Sequence, residues 1–322
     1  MALKQIEIPS LNRSISCLMA APSSAEPGTH EQGLDRYRVL GGNCLHLHGE
    51  GGETHSRIAT GKWLAKHHLR REFFVCTQIC HEGWDEEAKQ PIDRFTPAAV
   101  TEDITTDLEL LGADYVDLVY LDDKLDAPFE PIIDALAHER ESGRIRAFGV
   151  RNWTPKRILA AQNYAGLTVG TGLAALITTE LALPIASAPM WPAYVPFDSL
   201  LMDAVSELGL VVLAHAGDVT SGQCVFGNED SSARWRPEWV SRWEVPANRE
   251  VARAVQTIAA RHGASTREVS LAWMLSRRFP VVALVGLPAL LSAQGDEYLR
   301  ASQLTLDEAE LRLLDAARST GQ

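Results

Sequence analysis

The sequence predicts an α/β protein that folds as a (β/α)8 TIM barrel. Eight apolar runs of strand length recur along the 322 residues, and amphipathic segments lie between most of them. Most runs are continuously apolar rather than alternating, which is typical of parallel strands buried on both faces. The length suits one barrel with extensions, so we expect a single domain over residues 1–322.

The predicted strands follow one another along the whole chain. Residues 4–15 indicate an added N-terminal β-hairpin before the first of them. Residues 217–248, after the seventh strand, are too many for an ordinary connection, so we expect a long loop there. The eight predicted strands lie at 15–21, 43–47, 73–79, 116–121, 144–150, 173–179, 210–216 and 281–286.

Capping residues locate the predicted helices. The segment 97–112 has apolar residues at helical spacing, and Gly112 ends it. The helix after the fourth strand has Pro131 in its first turn, and the next helix begins with Thr154 as its N-cap. Further amphipathic helices are predicted at 61–69, 199–209, 249–263 and 265–278.

Charge and cysteine content exclude several kinds of partner. The net charge of −12 repels nucleic acid and anionic lipid, so we expect neither nucleic acid nor a membrane as a partner. The chain has no apolar run long enough to span a bilayer, and its first residues lack the apolar stretch of a signal peptide. The five cysteines match no metal or haem spacing, and we interpret Cys76 and Cys80 as buried free thiols of a protein in the reducing cytoplasm.

Ionisable side chains lie at the ends of four of the predicted strands. Chemistry in TIM barrels lies at the carboxyl ends of the strands, where His46, Asp122, Glu180 and His215 fall. Such groups are costly to bury unless they are paired or line a pocket. We therefore predict that these four residues carry acid/base catalysis on a small-molecule substrate.

Three interpretations of His46 stay open. It can act as a general acid or base with Asp122 as its partner. It can share a divalent metal ion with His48, because residues i and i+2 of a strand face the same side. It can also be a hydrogen-bonded pocket histidine without a catalytic role. The residues expected to hold the substrate are His48, Gln78, Arg151, Asn152 and Trp153.

Long stretches of the chain resemble the aldo-keto reductase superfamily. LGADYVDLVYL, followed by ALAHERESGRIRAFGVRNW, has the spacing of the family's DYxDLxxxH strand and its SGKIRxxGVSN segment. GGNCLHLHGEGGETHSRIATG follows the family's GxNFxDTAxxYGxxxSExxxG. IAARHGASTREVSLAWMLSRRFPVVALVG is similar to its penultimate helices and last strand. The resemblance spans nearly the whole chain and implies the same barrel fold.

The same resemblance places other residues at the family's catalytic positions. Aldo-keto reductases use an Asp, Tyr, Lys and His tetrad around the nicotinamide of NADPH, with the tyrosine as proton donor. The matching residues here are His46, Gly51, Gln78 and Asp122. Gly51 has no side chain that could donate a proton, and Gln78 has no charge that could lower a neighbour's pKa.

The family's cofactor-binding positions differ as well. Glu180 stands where the family often stacks a tyrosine on nicotinamide, and Asp218 lies in the loop that faces the pyrophosphate. Pro288 and Asp296 fall at positions that contact the adenosine half of the cofactor. Of these cofactor-binding positions, only Asn152 keeps the family's residue, the asparagine that binds the carboxamide of nicotinamide.

These replacements predict an enzyme that works without NADPH or another cofactor. We expect redox-neutral acid/base chemistry on a small carbonyl or hydroxyl compound: elimination, isomerisation, cyclisation or hydrolysis. Two alternatives remain. One is a non-catalytic binding protein on the same barrel, and the other is an NAD(P)H-dependent reductase with an unusual proton donor.

Overall fold

The computed structural model describes most of the chain as a closed parallel barrel. Eight strands take part, and each pairs with the next along the chain until the last pairs with the first. The predicted barrel class is confirmed, and so is the N-terminal antiparallel hairpin. The described ranges are 2–8, 12–22, 27–47, 54–85, 87, 89–124, 127–169, 172–189, 195–217, 221–226 and 237–319.

Each of the eight predicted apolar runs corresponds to one barrel strand, and β8 and β9 each extend one residue beyond the predicted run. With the strands of two hairpins included, the described strands are β1 (Gln5–Ile8), β2 (Arg13–Ser16), β3 (Leu18–Ala21), β4 (Cys44–Leu47), β5 (Phe74–Ile79), β6 (Gly83–Asp85), β7 (Gln90–Ile92), β8 (Val116–Asp122), β9 (Ile145–Arg151), β10 (Ala175–Thr178), β11 (Val211–His215) and β12 (Val281–Gly286). The barrel runs in the order β3, β4, β5, β8, β9, β10, β11 and β12, while β1 pairs with β2 and β6 with β7.

Helices connect the barrel strands. They are α1 (Pro27–Val39), α2 (Thr54–Lys66), α3 (Pro97–Leu111), α4 (Glu130–Glu141), α5 (Pro155–Val169), α6 (Ser199–Leu208), α7 (Pro237–Val240), α8 (Asn248–His262), α9 (Thr266–Leu275), α10 (Leu287–Leu291), α11 (Ala293–Gln303) and α12 (Glu308–Ser319). Within the described ranges, none of these helices combines the length and apolarity that crossing a membrane requires.

The predicted caps form at the ends of the helices. Gly112 has φ 60° and ends α3 in the left-handed conformation, which glycine adopts without steric cost. Thr154 accepts a hydrogen bond from the backbone nitrogen of Arg157 at 3.3 Å, as an N-cap does.

Several elements escape sequence reasoning. Helix α1 has few apolar residues, and its burial depends on Leu34 and Tyr37, which lie on one face three positions apart. The β6–β7 hairpin and helices α10 to α12 are also absent from the predicted elements. The long segment after β11 contains α7 and short 3-10 turns among its described residues.

The barrel interior is apolar for most of its depth and becomes polar near the carboxyl ends of the strands. Met19, Phe74, Leu118, Leu213 and Val282 belong to one buried cluster inside the barrel. Polar side chains continue the same inward faces toward the ends of β5, β8 and β9. This change from apolar to polar lining locates the candidate site at the carboxyl end of the barrel, called the barrel mouth below.

Candidate active site at the barrel mouth

Strand register brings the polar side chains of three neighbouring strands together. Gln78 of β5 is the partner of Tyr120 in β8, and Asp122, two residues further, is the partner of Arg151 in β9. Residues two apart in a strand face the same side, so Tyr120 and Asp122 both point into the barrel.

Asp122 is the centre of a hydrogen-bond cluster. Arg151 donates from Nε and Nη2 to the two carboxylate oxygens, which is the bidentate geometry of a strong ion pair. Gln78 Nε2 donates to Oδ2 at 2.9 Å, and Asn152 Nδ2 donates to Oδ1 at 3.2 Å. With both oxygens held by donors, Asp122 orients its neighbours. Gln78, Arg151 and Asn152, predicted to hold substrate, are thus brought together around it.

His46 lies deeper in the barrel than the prediction assumed. Its side chain is 0% exposed, and its Nε2 lies 2.6 Å from the hydroxyl of Tyr120. The two rings stack with centroids 5.5 Å apart. The same hydroxyl lies 3.5 Å from Oε1 of Gln78. The buried position of His46 keeps it from direct contact with a substrate at the mouth, and this observation favours a supporting role.

His215 faces the opening. It is the last residue of β11 and is partly exposed. Its ring meets the edge of the His46 ring at 6.3 Å between centroids. A line of titratable rings therefore leads from His215 at the surface of the mouth to His46 and then to Tyr120.

Glu180 follows β10 and is held by an arginine from the long segment after β11. Arg242 Nη2 lies 2.9 Å from Glu180 Oε2, and both side chains are nearly buried. The guanidinium also lies 4.5 Å over the ring of Trp243. Its Nε and Nη1 are buried and have no hydrogen-bond acceptor among the described residues. Arg242 and Glu180 therefore neutralise each other, while two guanidinium nitrogens of Arg242 keep N–H groups that can still donate hydrogen bonds.

The structure places Trp153 outside the mouth. The ring is fully buried, with the guanidinium of Arg157 at 4.9 Å and Phe129 at 6.1 Å on its outer side. The physical reason is the left-handed backbone of Asn152, with φ 61°, which turns the chain away from the barrel axis. Asp123 also faces outward and pairs with Arg157, and burial raises the pKa of that carboxyl.

The geometry does not support the interpretation that His46 and His48 share a metal ion. His48 lies outside the described residues. Within the described ranges, no three histidine, cysteine, aspartate or glutamate side chains come close enough to hold a metal ion.

Two residues of the mouth were missed by the sequence analysis. Tyr120 carried a usable signal, because it lies two positions before Asp122 and therefore faces the same side of the strand. Arg242 carried none, because it lies in a long connection whose path only the tertiary structure defines.

Comparison with known proteins gives a consistent result. The model of the aldo/keto reductase family matches residues 52–319. An aldo-keto reductase of Strobilurus tenacellus is 23% identical over 304 residues, covering 88% of this chain and 81% of that protein. The NADH-specific methylglyoxal reductase of Escherichia coli is 22% identical over 275 residues, covering 80% and 78%.

A solved structure supports the fold. A glycerol dehydrogenase of Gluconobacter oxydans superposes with a TM-score of 0.75 at 19% identity. The match covers 100% of this chain and 97% of the other. At this identity the similarity shows the barrel fold alone.

These matches overturn the expected redox-neutral, cofactor-independent chemistry of the lyase or isomerase type. The family and the matched relatives are oxidoreductases, and one relative is named for its use of NADH. The prediction was wrong because it gave replaced residues at single positions of the tetrad and of the cofactor site more weight than the family match over most of the chain. Replacement of a proton-donating residue does not by itself remove a cofactor site, since different side chains form the two.

Proposed function

The chain belongs to the aldo/keto reductase family, which matches residues 52–319, and from this premise we propose a nicotinamide-dependent oxidoreductase acting on small carbonyl compounds. The substrates are small aldehydes or ketones, or the matching alcohols in the reverse direction. All eight barrel strands belong to one sheet, which supports one domain over residues 1–322. The five free cysteines support a reducing location such as the cytoplasm.

The side chains at the mouth suit a bound dinucleotide. Arg242 is the main support for this fit. Its Nε and Nη1 are buried without a described hydrogen-bond acceptor, and a pyrophosphate oxygen would supply one. Asn152 keeps the family's carboxamide-binding residue type and lies at the rim beside Asp122. The described carboxylates of the mouth, Asp122 and Glu180, do not oppose an anionic cofactor strongly, since Arg151 pairs with the first and Arg242 with the second.

The reaction needs a hydride and a proton. When bound, a reduced nicotinamide supplies the hydride to the carbonyl carbon and is itself oxidised. His215 is our proposed donor of the proton to the carbonyl oxygen, because it is the partly exposed titratable ring at the opening. Tyr120 holds His46, whose ring contacts the edge of the His215 ring, and Asp122 fixes the amide of Asn152.

The proposal is tested by cofactor binding and turnover of the purified chain. Titration with NADPH and NADH should show binding, and methylglyoxal should cause loss of reduced-nicotinamide absorbance. Glycerol with oxidised cofactor tests the reverse direction. Substitution His215→Gln should lower kcat by about 10²–10⁴ without loss of cofactor affinity. The exposed His138 provides the matched control as His138→Gln.

Variants of Arg242 test separately whether this side chain binds the dinucleotide. Arg242→Gln should weaken cofactor binding about tenfold or more, since a hydrogen bond to a charged group is lost. Arg242→Lys keeps the charge beside Glu180 and controls for folding, and the exposed Arg249→Gln controls for net charge. Absence of cofactor binding to the unaltered chain, for NADPH and NADH alike, would refute the proposed function.

A dinucleotide-binding protein without turnover is the second candidate. The observation that favours it is Gly51 at the position of the family's proton-donating tyrosine. This candidate predicts cofactor binding with no loss of absorbance for any small aldehyde or ketone tried.

A further inference from the structure

A separate cavity lies on the outer flank of the barrel, among α6, α9, α12 and the segment after β10. Its volume is about 380 Å³, which is within the usual range for small-molecule sites. We call it the flank cavity. Its apolar wall consists of Leu181, Phe197, Met202, Trp273, Phe279 and Leu311.

Three arginines, Arg277, Arg278 and Arg318, line the flank cavity together with the carboxylate of Asp315. Arg277 Nη1 lies 3.0 Å from Asp315 Oδ1, and the Arg277 guanidinium lies 4.1 Å over the ring of Trp273. Asp315 also accepts a 2.7 Å hydrogen bond from Nε1 of Trp273. Arg318 donates from Nε to the backbone oxygen of Ala182 at 3.3 Å and forms no ion pair with a described carboxylate.

The charges in the cavity do not balance. Arg278 at the rim is exposed and already paired with Asp203. Among the described lining residues, Asp315 is the one carboxylate that the remaining two guanidiniums share, which leaves an excess positive charge there in a chain whose net charge is −12. Burial lowers the pKa of both Arg277 and Arg318 against the attraction of Asp315, so this excess charge is poorly solvated.

We propose that the flank cavity binds a small organic carboxylate with an apolar body. The anionic group pairs with Arg318 and Arg277, whose planar guanidiniums match a carboxylate in two-point geometry. The apolar body contacts Trp273 and Phe197. A bound anion removes the charge imbalance, while the apolar wall favours an organic ion over an inorganic one. The site needs no nicotinamide and is independent of the proposed reaction.

Calorimetric titration with benzoate tests the site, with benzamide as the neutral control ligand. Benzoate should bind and benzamide should bind at least about tenfold more weakly, because the charge-assisted hydrogen bonds are lost. Arg318→Gln and Arg277→Gln should each weaken benzoate binding about tenfold or more. Arg312→Gln, on the exposed face of the same helix, is the matched control and should leave the affinity unchanged.

A further control separates the flank cavity from the barrel mouth. A small cavity of about 110 Å³ beside Glu180 shares Phe197 and Arg318 with the flank cavity. Arg242 itself does not line the flank cavity, so benzoate affinity should be unchanged in Arg242→Gln.

Folding of each variant is checked by its thermal melting curve, and Arg318→Lys serves if Arg318→Gln does not fold. The lysine keeps the charge but loses the two-point geometry, so weaker binding is again expected. The proposal is overturned if benzoate does not bind the unaltered chain. It is also overturned if benzamide binds equally well, or if the Arg277 and Arg318 variants retain full affinity.

Discussion

At the scale of single residues, the barrel mouth is organised by hydrogen bonds between side chains of different strands. The hydroxyl of Tyr120 lies between His46 and Gln78, and Gln78 in turn donates to Asp122. Tyr120 is fully buried, so it acts through its neighbours rather than on a substrate. We assign it as a positioning residue for the histidine pair.

Tyr120→Phe tests this assignment. Loss of the hydroxyl leaves His46 without its 2.6 Å partner, which should cost about 1–3 kcal/mol in the free energy of unfolding. We also expect a lower kcat with little change in KM, and a shifted pH profile of kcat/KM, because His215 loses the support of a fixed His46 ring.

The control for this variant is Tyr164→Phe. Tyr164 donates its hydroxyl to Asp134 at the surface, far from the reacting groups. A Tyr120→Phe enzyme whose pH profile and kcat match those of the control would show that the buried hydroxyl has only a structural role.

At the scale of elements, the packing of α2 against α3 depends on a glycine and a buried ion pair. A Cβ atom at Gly61 of α2 would lie 2.2 Å from the backbone oxygen of Leu111 at the end of α3. Arg57 of α2 and Asp107 of α3 form an ion pair at 2.9 Å, and both side chains are buried. Close approach of the two helices therefore requires that residue 61 has no side chain, and the ion pair joins the helices across the same interface.

Gly61→Ala should destabilise the protein by about 1–3 kcal/mol, since the backbone of α3 has to move. Gly166→Ala is the matched comparison. Gly166 lies inside α5, is exposed, and has open space around its Cα, so alanine should stabilise the helix by about 0.5–1 kcal/mol. Chemical denaturation measures the free energy of unfolding of both variants. A change of the same sign in both would contradict the packing argument.

The pKa of Asp107 predicts that the free energy of unfolding depends on pH. Burial raises the pKa of its carboxyl to about 6, against the attraction of Arg57. A folded-state pKa above the unfolded value means that the folded state binds the proton more tightly. Protonation of Asp107 therefore adds to the free energy of unfolding. This contribution is complete below the unfolded pKa of ~4 and is lost as the pH rises through about 6.

The test compares the free energy of unfolding of the unaltered chain with that of Asp107→Asn across this window. The unaltered chain should lose about 3 kcal/mol relative to the variant between pH ~4 and ~7. Asp114→Asn, at an exposed position, is the control. A constant difference between the unaltered chain and Asp107→Asn would contradict the raised pKa.

At the scale of the whole molecule, the closed barrel and its helices bury most of the thiols. Cys17, Cys44, Cys76 and Cys80 are buried, and only Cys224 is partly exposed. Burial raises the pKa of Cys17 to about 12, that of Cys44 to about 11 and that of Cys80 to about 12, and raises the pKa of Cys76 strongly. These four thiols therefore carry very little thiolate near neutral pH.

Alkylation should follow this pattern. In the native protein we expect iodoacetamide to modify Cys224 first and the other four thiols only slowly, since the thiolate is the reactive form. In urea all five should react. Mass spectrometry of peptides measures both, and rapid native labelling of Cys44 or Cys76 would contradict the closed packing of the barrel interior.

The sequence by itself determined the barrel and the ends of its strands. Continuous apolar runs, helix caps and the family spacing are local signals, and they predicted β8 and Asp122 at its end. The tertiary structure alone decided which side chains meet. Arg242 reaches Glu180 across 62 positions, and Trp153 is buried although its neighbour Asn152 lies at the mouth. The physical reason is that burial and pairing depend on strand register and on the path of long loops. Neither is set by residues close together in the chain.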